Sequence, residues 1–267
     1  MWQKAPGVGE AFGLGVAGVP PAPLGQFDTD LAPERERADY YRAMLRGLVC
    51  AATPILDPEA PRFRVRTRNG ALGEALYVHY SATAHQIERN RRDTEIAQTG
   101  CYFLLRQAGE ARSFLEVAGE EHWLEPGDCL LGDADAPFFA REAGPLAFSL
   151  YLLPKWLVEA TLTNSGRDRL AKGVATTAGS PLGALVDAWL AAVPVGGLSP
   201  AAAAGVGGAL GRLCAVVAED GAAPLEPDRA ALRAARAQRV LQAIDRGFAD
   251  LAFGPTEAAA GLGISVR

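Results

Sequence analysis

The chain's only imidazoles are His79, His85 and His122, and no two of them are separated by a single residue. A protein metal centre usually needs two or three histidines with a carboxylate brought close together. This spacing offers no such set, and a lone histidine on a strand more often makes a structural hydrogen bond. Neither a catalytic metal nor a cofactor is therefore expected. Nucleophilic chemistry lacks its frame as well. The sequence has no G-x-S-x-G, no glycine-rich phosphate loop after a strand, and no close carboxylate pair in an apolar setting. Glu120-Glu121 reads as a solvated turn. The chain is not expected to be an enzyme.

Binding residues are easier to nominate. Arg91 and Arg92 stand side by side before Asp93. Guanidinium forks match carboxylates bidentately, so the pair could anchor an acidic ligand, or could pair with Asp93 or Glu95 at the surface. A ligand pocket should be mostly apolar with a few convergent polar groups. Tyr77, Tyr102, Phe103, Phe114, Trp123, Phe148 and Tyr151 are the aromatics available in this region. Most aromatics so spaced are core. The candidate ligand-binding set is Arg91, Arg92, Tyr102, Phe103, Phe114 and Trp123.

These residues lie in a stretch, 62–153, where short runs alternate apolar and polar residues. Leu72, Glu74, Leu76, Val78 and Tyr80 share one parity, with Ala75, Tyr77 and His79 on the other. Similar runs fall at 101–107, 112–117, 122–124, 129–131 and 146–153. Ala108-Gly109, Gly119-Glu120, Pro126-Gly127-Asp128 and Ala143-Gly144-Pro145 mark turns between them. Many short antiparallel strands with frequent turns predict a sandwich or barrel. A helix is predicted before them at 33–51, with Asp30 as a possible cap. Helices follow at 155–162 and 181–192, and a third opens on Ser199 and Pro200 with Val206, Leu210, Leu213 and Val217 along one stripe. A turn-rich linker at 219–227 precedes a further helix at 228–248 bearing Arg229, Arg233, Arg236, Arg239 and Arg246.

Composition bounds the rest. The 267 residues are enough for one large domain or two modest ones, and 49% hydrophobic with 21% charged residues is ordinary for a globular protein. Net charge is −5, so the chain as a whole does not advertise nucleic-acid binding; any such contact needs a local patch. Cys50, Cys101, Cys129 and Cys214 are widely spaced with no C-x-x-C, the usage of a reduced cytosolic protein. No apolar run approaches the roughly 18 residues of a membrane span. The Gly-, Ala- and Pro-rich start, 1–25, reads as a disordered leader rather than a signal peptide.

The last twenty residues carry the most specific pattern. Gly254 stands at a cap, Pro255 at a first helical position and Glu257 at the third; Ala258 to Ala260 offer a small-residue face, Gly261 and Gly263 a turn, and Ser265 a second cap. A helix, a tight glycine turn and a capped helix make a helix-turn-helix. The stretch 248–267 resembles the first helix-turn-helix of the AraC/XylS transcription regulators at Asp250, Pro255, Glu257, Ala259, Leu262, Gly263, Ile264, Ser265 and Arg267. It departs from them at Gly254, where a Ser or Thr cap is usual, and it stops at Arg267, inside the recognition helix. Phe27-Asp-Thr-Asp, Glu34-Arg-Glu-Arg, Arg91-Arg92, the Gly127-Asp128 turn and Leu152-Leu153-Pro154 resemble the sensor domain of one subgroup.

The resemblance implies an α+β chain: a cupin-like β-barrel, a helical segment and a truncated helix-turn-helix. Its expected parts are a leader (1–25), an effector-binding domain (26–160), a helical dimerisation segment (161–225) and the DNA-binding part (226–267). It implies an effector-responsive regulator in the cytoplasm. The expected partners are a small-molecule effector, a second copy of the chain and promoter DNA, but no membrane. Ser265, Arg267 and Arg239 are the expected DNA contacts. Two other readings remain: a stand-alone ligand-binding or dimerisation module without DNA binding, and a metal-free cupin enzyme.

Overall fold

The computed structural model describes residues 25–56, 62–142, 144–193 and 197–219. The leader through residue 24, the arginine-rich helix with Arg239, and the signature with Ser265 and Arg267 lie outside the described residues.

Along the chain run β1 (Gln26–Asp28), α1 (Arg37–Leu48), β2 (Thr53–Ile55), β3 (Val65–Leu72), β4 (Ala75–Ala82) and β5 (Gln86–Arg89). Next come α2 (Arg91–Ile96), β6 (Cys101–Gln107), β7 (Ser113–Val117), β8 (Glu120–Leu124), β9 (Cys129–Asp133), β10 (Phe138–Glu142) and β11 (Leu146–Pro154). The last elements are α3 (Lys155–Glu159), α4 (Asn164–Lys172), β12 (Val174–Thr176), α5 (Pro181–Ala192) and α6 (Pro200–Glu219).

Turn chemistry sets the hairpins. The run expected to carry Leu72, Glu74 and Leu76 on one strand face is instead β3, a two-residue turn and β4, with Leu72 paired to Ala75. Gly73 at φ 63° supplies the left-handed first position of that turn. Ala118 at φ 52° and Gly119 at φ 86° both take the left-handed conformation that joins β7 to β8 with little splay. In the Pro126-Gly127-Asp128 turn, the Asp128 carboxylate accepts from the amides of Glu125 and Ala178, at 2.9 and 2.8 Å. That side chain ties β9 to the start of the helical layer.

The strands form two antiparallel sheets, ordered β1-β3-β4-β11-β6-β9-β12 and β2-β5-β10-β7-β8. The fold is α+β and cupin-like, but the sheets face each other without closing into one hydrogen-bonded barrel. The larger sheet is buried on both sides, and two cores result. Leu76, Val78, Phe103, Leu105, Leu150 and Leu152 face the smaller sheet and α1. Residues of opposite parity, among them Tyr77, Tyr102, Leu104, Tyr151 and Leu153, face the C-terminal helices. Burial on both faces is why β4 and β11 read as nearly continuous apolar runs.

The helices keep their sequence logic with local changes. Asp30 does not cap α1; its carboxylate pairs with Arg37 at 2.8 Å and Arg64 at 2.7 Å. Asp28 pairs with Arg64 and Arg66 and also accepts from the Asp30 amide at 2.9 Å, capping the short 3-10 turn Thr29–Leu31, so Phe27-Asp-Thr-Asp anchors the entry of the chain ahead of α1. Ser199 caps α6 as expected, while the caps Thr163 of α4 and Ser180 of α5 were not anticipated from the sequence pattern. Helix α6 lies directly on the chain's own β3–β4 turn and on α3. Leu210 and Val217 are buried there and Val206 and Leu213 partly so. The Val206, Leu210, Leu213 and Val217 stripe, within the segment expected to dimerise, thus packs largely inside the chain, with Val206 and Leu213 still partly accessible. Averaged over its length, α6 also has the apolarity of a membrane span, with mean hydropathy 1.6, although Arg212 interrupts the run. Its apolar face is spent on the second core.

Candidate functional site

Between the two sheets lies a cavity of about 90 Å³. Its wall is supplied by β4, β6 and β11 from the larger sheet, by β5, β7 and β10 from the smaller one, and by α1. Inward residues at its centre are not sealed. Ile87, Phe138, Ala140 and Phe148 keep part of their surface accessible although they lie in the core. Among the described residues lining the cavity, none is charged.

One end is polar. Tyr41 on α1, Tyr80 on β4 and His85 just before β5 meet there. The Tyr80 hydroxyl donates to the Tyr41 oxygen, and His85 Nε2 lies 3.3 Å from the Tyr41 oxygen and 3.1 Å from that of Tyr80. His85 Nδ1 is 2.8 Å from the carbonyl of Thr83. A carbonyl only accepts, so Nδ1 carries the proton and the neutral ring offers Nε2 as the acceptor. Burial holds the His85 pKa below 6.5, only partly offset by the Thr83 bond, and burial likewise keeps the Tyr41 phenol protonated. Phe148 stacks on Tyr80 with ring centroids 4.4 Å apart, which fixes that phenol against the apolar wall. Cys50 also lines the cavity; burial pushes its thiol up to about 11, so it is an inert apolar surface.

Of the residues nominated from sequence, Phe103 alone lines the cavity. Tyr102, its neighbour on β6, points to the opposite face and donates to Glu159 at 2.9 Å. Phe114 and Trp123 pair across β7 and β8 on the outer face of the smaller sheet, where Arg112 covers the indole at 4.2 Å. Arg91 and Arg92 are exposed on α2, whose Asn90–Asp93 capping box turns them outward; Arg91 pairs with Glu95 at 3.3 Å. The structure does not bring these six residues together. Tyr41, Tyr80 and His85 went unrecognised because their spacing in sequence carries no motif. The three histidines are far from a common centre: His79 contacts Ser149 at 3.0 Å and His122 donates to the Lys172 carbonyl. Among the described residues no three His, Cys, Asp or Glu side chains converge as metal ligands.

Two facing antiparallel sheets around an apolar cavity, backed by a helical layer, define a protein of cupin-like fold. Its likeness to solved structures is more particular. The crystal structure of the AraC-like transcriptional activator CuxR matches 90% of this chain and 85% of its own, with a TM-score of 0.60 at 18% identity. Protein Ylba from E. coli matches 48% of this chain and 44% of its own, at 15% identity and a TM-score of 0.28. A putative glyoxylate induced protein from Pseudomonas aeruginosa matches 60% and 54%, at 13% identity and a TM-score of 0.30. The CuxR match establishes a shared fold, and the two lower scores add nothing to it. No protein-family model and no curated protein sequence matches the chain.

Proposed function

We propose that the chain is the effector-sensing part of a transcription regulator of the AraC type. The observation that carries this reading is the uncharged cavity, with its polar end at Tyr41, Tyr80 and His85, inside a fold that follows an AraC-like activator over most of its length. The motif residues at 248–267 support it from the sequence side. In this reading a small molecule occupies the cavity and is bound without turnover. Two copies of the chain act together at promoter DNA in the cytoplasm. Arg239, Ser265 and Arg267 belong to the DNA-reading part, and differential binding of the effector to two arrangements couples the sensor to the reader.

The test is to tag the gene at its native locus and map the DNA recovered with the protein by cross-linking. Enrichment at discrete promoters, lost when Arg239 and Arg267 are both replaced by Ala, is the expected result. Recovery no higher than that of an untagged strain at every promoter overturns the regulator reading and leaves a ligand-binding module.

A further inference from the structure

We propose that the molecule this cavity takes is small, uncharged and mostly hydrocarbon, with one hydroxyl that joins the Tyr41–Tyr80–His85 chain. The proposal rests on the effector-sensing reading and names the chemical class of that effector. Size comes first. An engineered protein cavity of about 150 Å³ accepts a benzene ring. At about 90 Å³ this one is smaller. It takes a single small ring or a short alkyl chain only by using the surface that Ile87, Phe138, Ala140 and Phe148 leave accessible beside it, with no space for long substituents.

Charge comes second. An ionised carboxylate or ammonium group moved into such a wall loses its hydration with no opposite charge to recover it. The buried cations among the described residues, Arg37 and Arg89, do not line the cavity and are engaged elsewhere, Arg37 with Asp30 at 2.8 Å. The two Nη groups of Arg89 donate to the carbonyls of Ala51 and Ala97, both at 2.6 Å. Arg91 and Arg92, the sequence candidates for an acidic ligand, are on the exposed surface of α2.

Polarity comes third. Beyond the weak thiol of Cys50, the described wall offers three polar side chains, gathered at one end. A sugar would bring four or five hydroxyls, and most would be buried against carbon without a partner, each losing its hydration for no hydrogen bond in return. A single hydroxyl can donate and accept at once. It can therefore extend a chain in which Tyr80 donates to Tyr41 and Nε2 of His85 accepts. An effector with one hydroxyl at one end and hydrocarbon at the other meets both parts of the wall.

Calorimetric titration of the full chain at pH 7 with phenol, toluene, benzoate and xylose separates the classes. Phenol is expected to bind saturably. Toluene should bind about fivefold more weakly for want of the hydrogen bond, and benzoate and xylose should show no saturable heat. Tyr80→Phe should shrink the gap between phenol and toluene. Ala140→Leu, which fills the cavity from β10, should abolish binding of both while circular dichroism stays unchanged. Saturable binding of benzoate or xylose in preference to phenol overturns the proposal, as does phenol binding that Ala140→Leu leaves intact. So does the failure of all four probes to bind. Failure of the regulator reading registers separately, as missing promoter enrichment, whatever the cavity accepts.

Discussion

Buried polar side chains at single positions carry much of the specificity of this fold. Arg89 is 1% exposed, and its guanidinium ties the carbonyl after α1 to the carbonyl after α2. Removing it leaves both carbonyls buried without a donor, each costing about 1–3 kcal/mol. Arg89→Met should lower unfolding free energy by about 2–5 kcal/mol in urea titration; a loss under about 0.5 kcal/mol would show that water replaces the guanidinium. His85 makes a pH prediction. Its folded pKa lies below the 6.5 of the free group because burial disfavours the cation. The unfolded chain therefore takes up a proton first as pH falls, and stability present above about 6.5 is lost progressively toward the folded pKa. His79 is lowered by burial and by Arg106 and Arg68, so it acts in the same direction. The melting temperature should drop between pH 7 and 5, and His85→Gln should flatten part of that slope but not all. A slope unaltered by His85→Gln would contradict the placement of a neutral, buried ring.

Helix α6 shows how an element is fitted to its neighbours. Gly207 and Gly211 are one turn apart on its inner face. A Cβ at Gly207 would collide with the Leu72 carbonyl, and one at Gly211 would lie 2.8 Å from both Leu157 Cγ and the Leu157 carbonyl. The helix therefore approaches β3 and α3 backbone to backbone. Gly205, on the same helix, has open space where its Cβ would be. Opposite effects of one substitution follow. Gly205→Ala should stabilise the chain by about 0.5–1 kcal/mol through helix propensity. Gly207→Ala should destabilise it by about 1–3 kcal/mol as the helix is pushed off the sheet. Thermal melts of the two variants measured side by side decide it; equal shifts would mean that α6 does not sit this close. Gly207 and Gly211, both poor helix formers, are thus the residues that let the helix dock.

Across the described residues, one layer order explains the accessible chemistry: smaller sheet, cavity, larger sheet, helices. All four cysteines fall within the two cores, and none is exposed. Burial raises the thiols of Cys101 and Cys129 to about 11 and about 12, as it does Cys50. Reaction with a disulfide reagent needs access and the thiolate. The native chain at pH 8 should therefore be at least about 100-fold slower to react than the same chain in guanidinium, which should titrate four thiols. Fast labelling of one thiol in the native chain would reveal an opening into a core.

Periodicity and turn residues determined much of the scaffold from the sequence alone. The bounds of β6 and α5, the cap at Ser199, and the Gly127 turn are local matters, governed by the chain within a few residues. Face assignment is not local. Tyr102 and Phe103 were both nominated for one pocket, yet neighbours on a strand point to opposite sides. With both sides of the larger sheet buried, apolar content does not say which parity faces the cavity. Phe114 and Trp123 show the same limit on the smaller sheet, whose outer face stacks its aromatics under Arg112 instead of hiding them. Tyr41, Tyr80 and His85 come from a helix, a strand and a loop, and only the packing of α1 against the larger sheet brings their polar atoms within hydrogen-bonding distance. Local sequence dictates an element and its ends. Which of its sides becomes a binding wall is decided by what the rest of the chain packs against it.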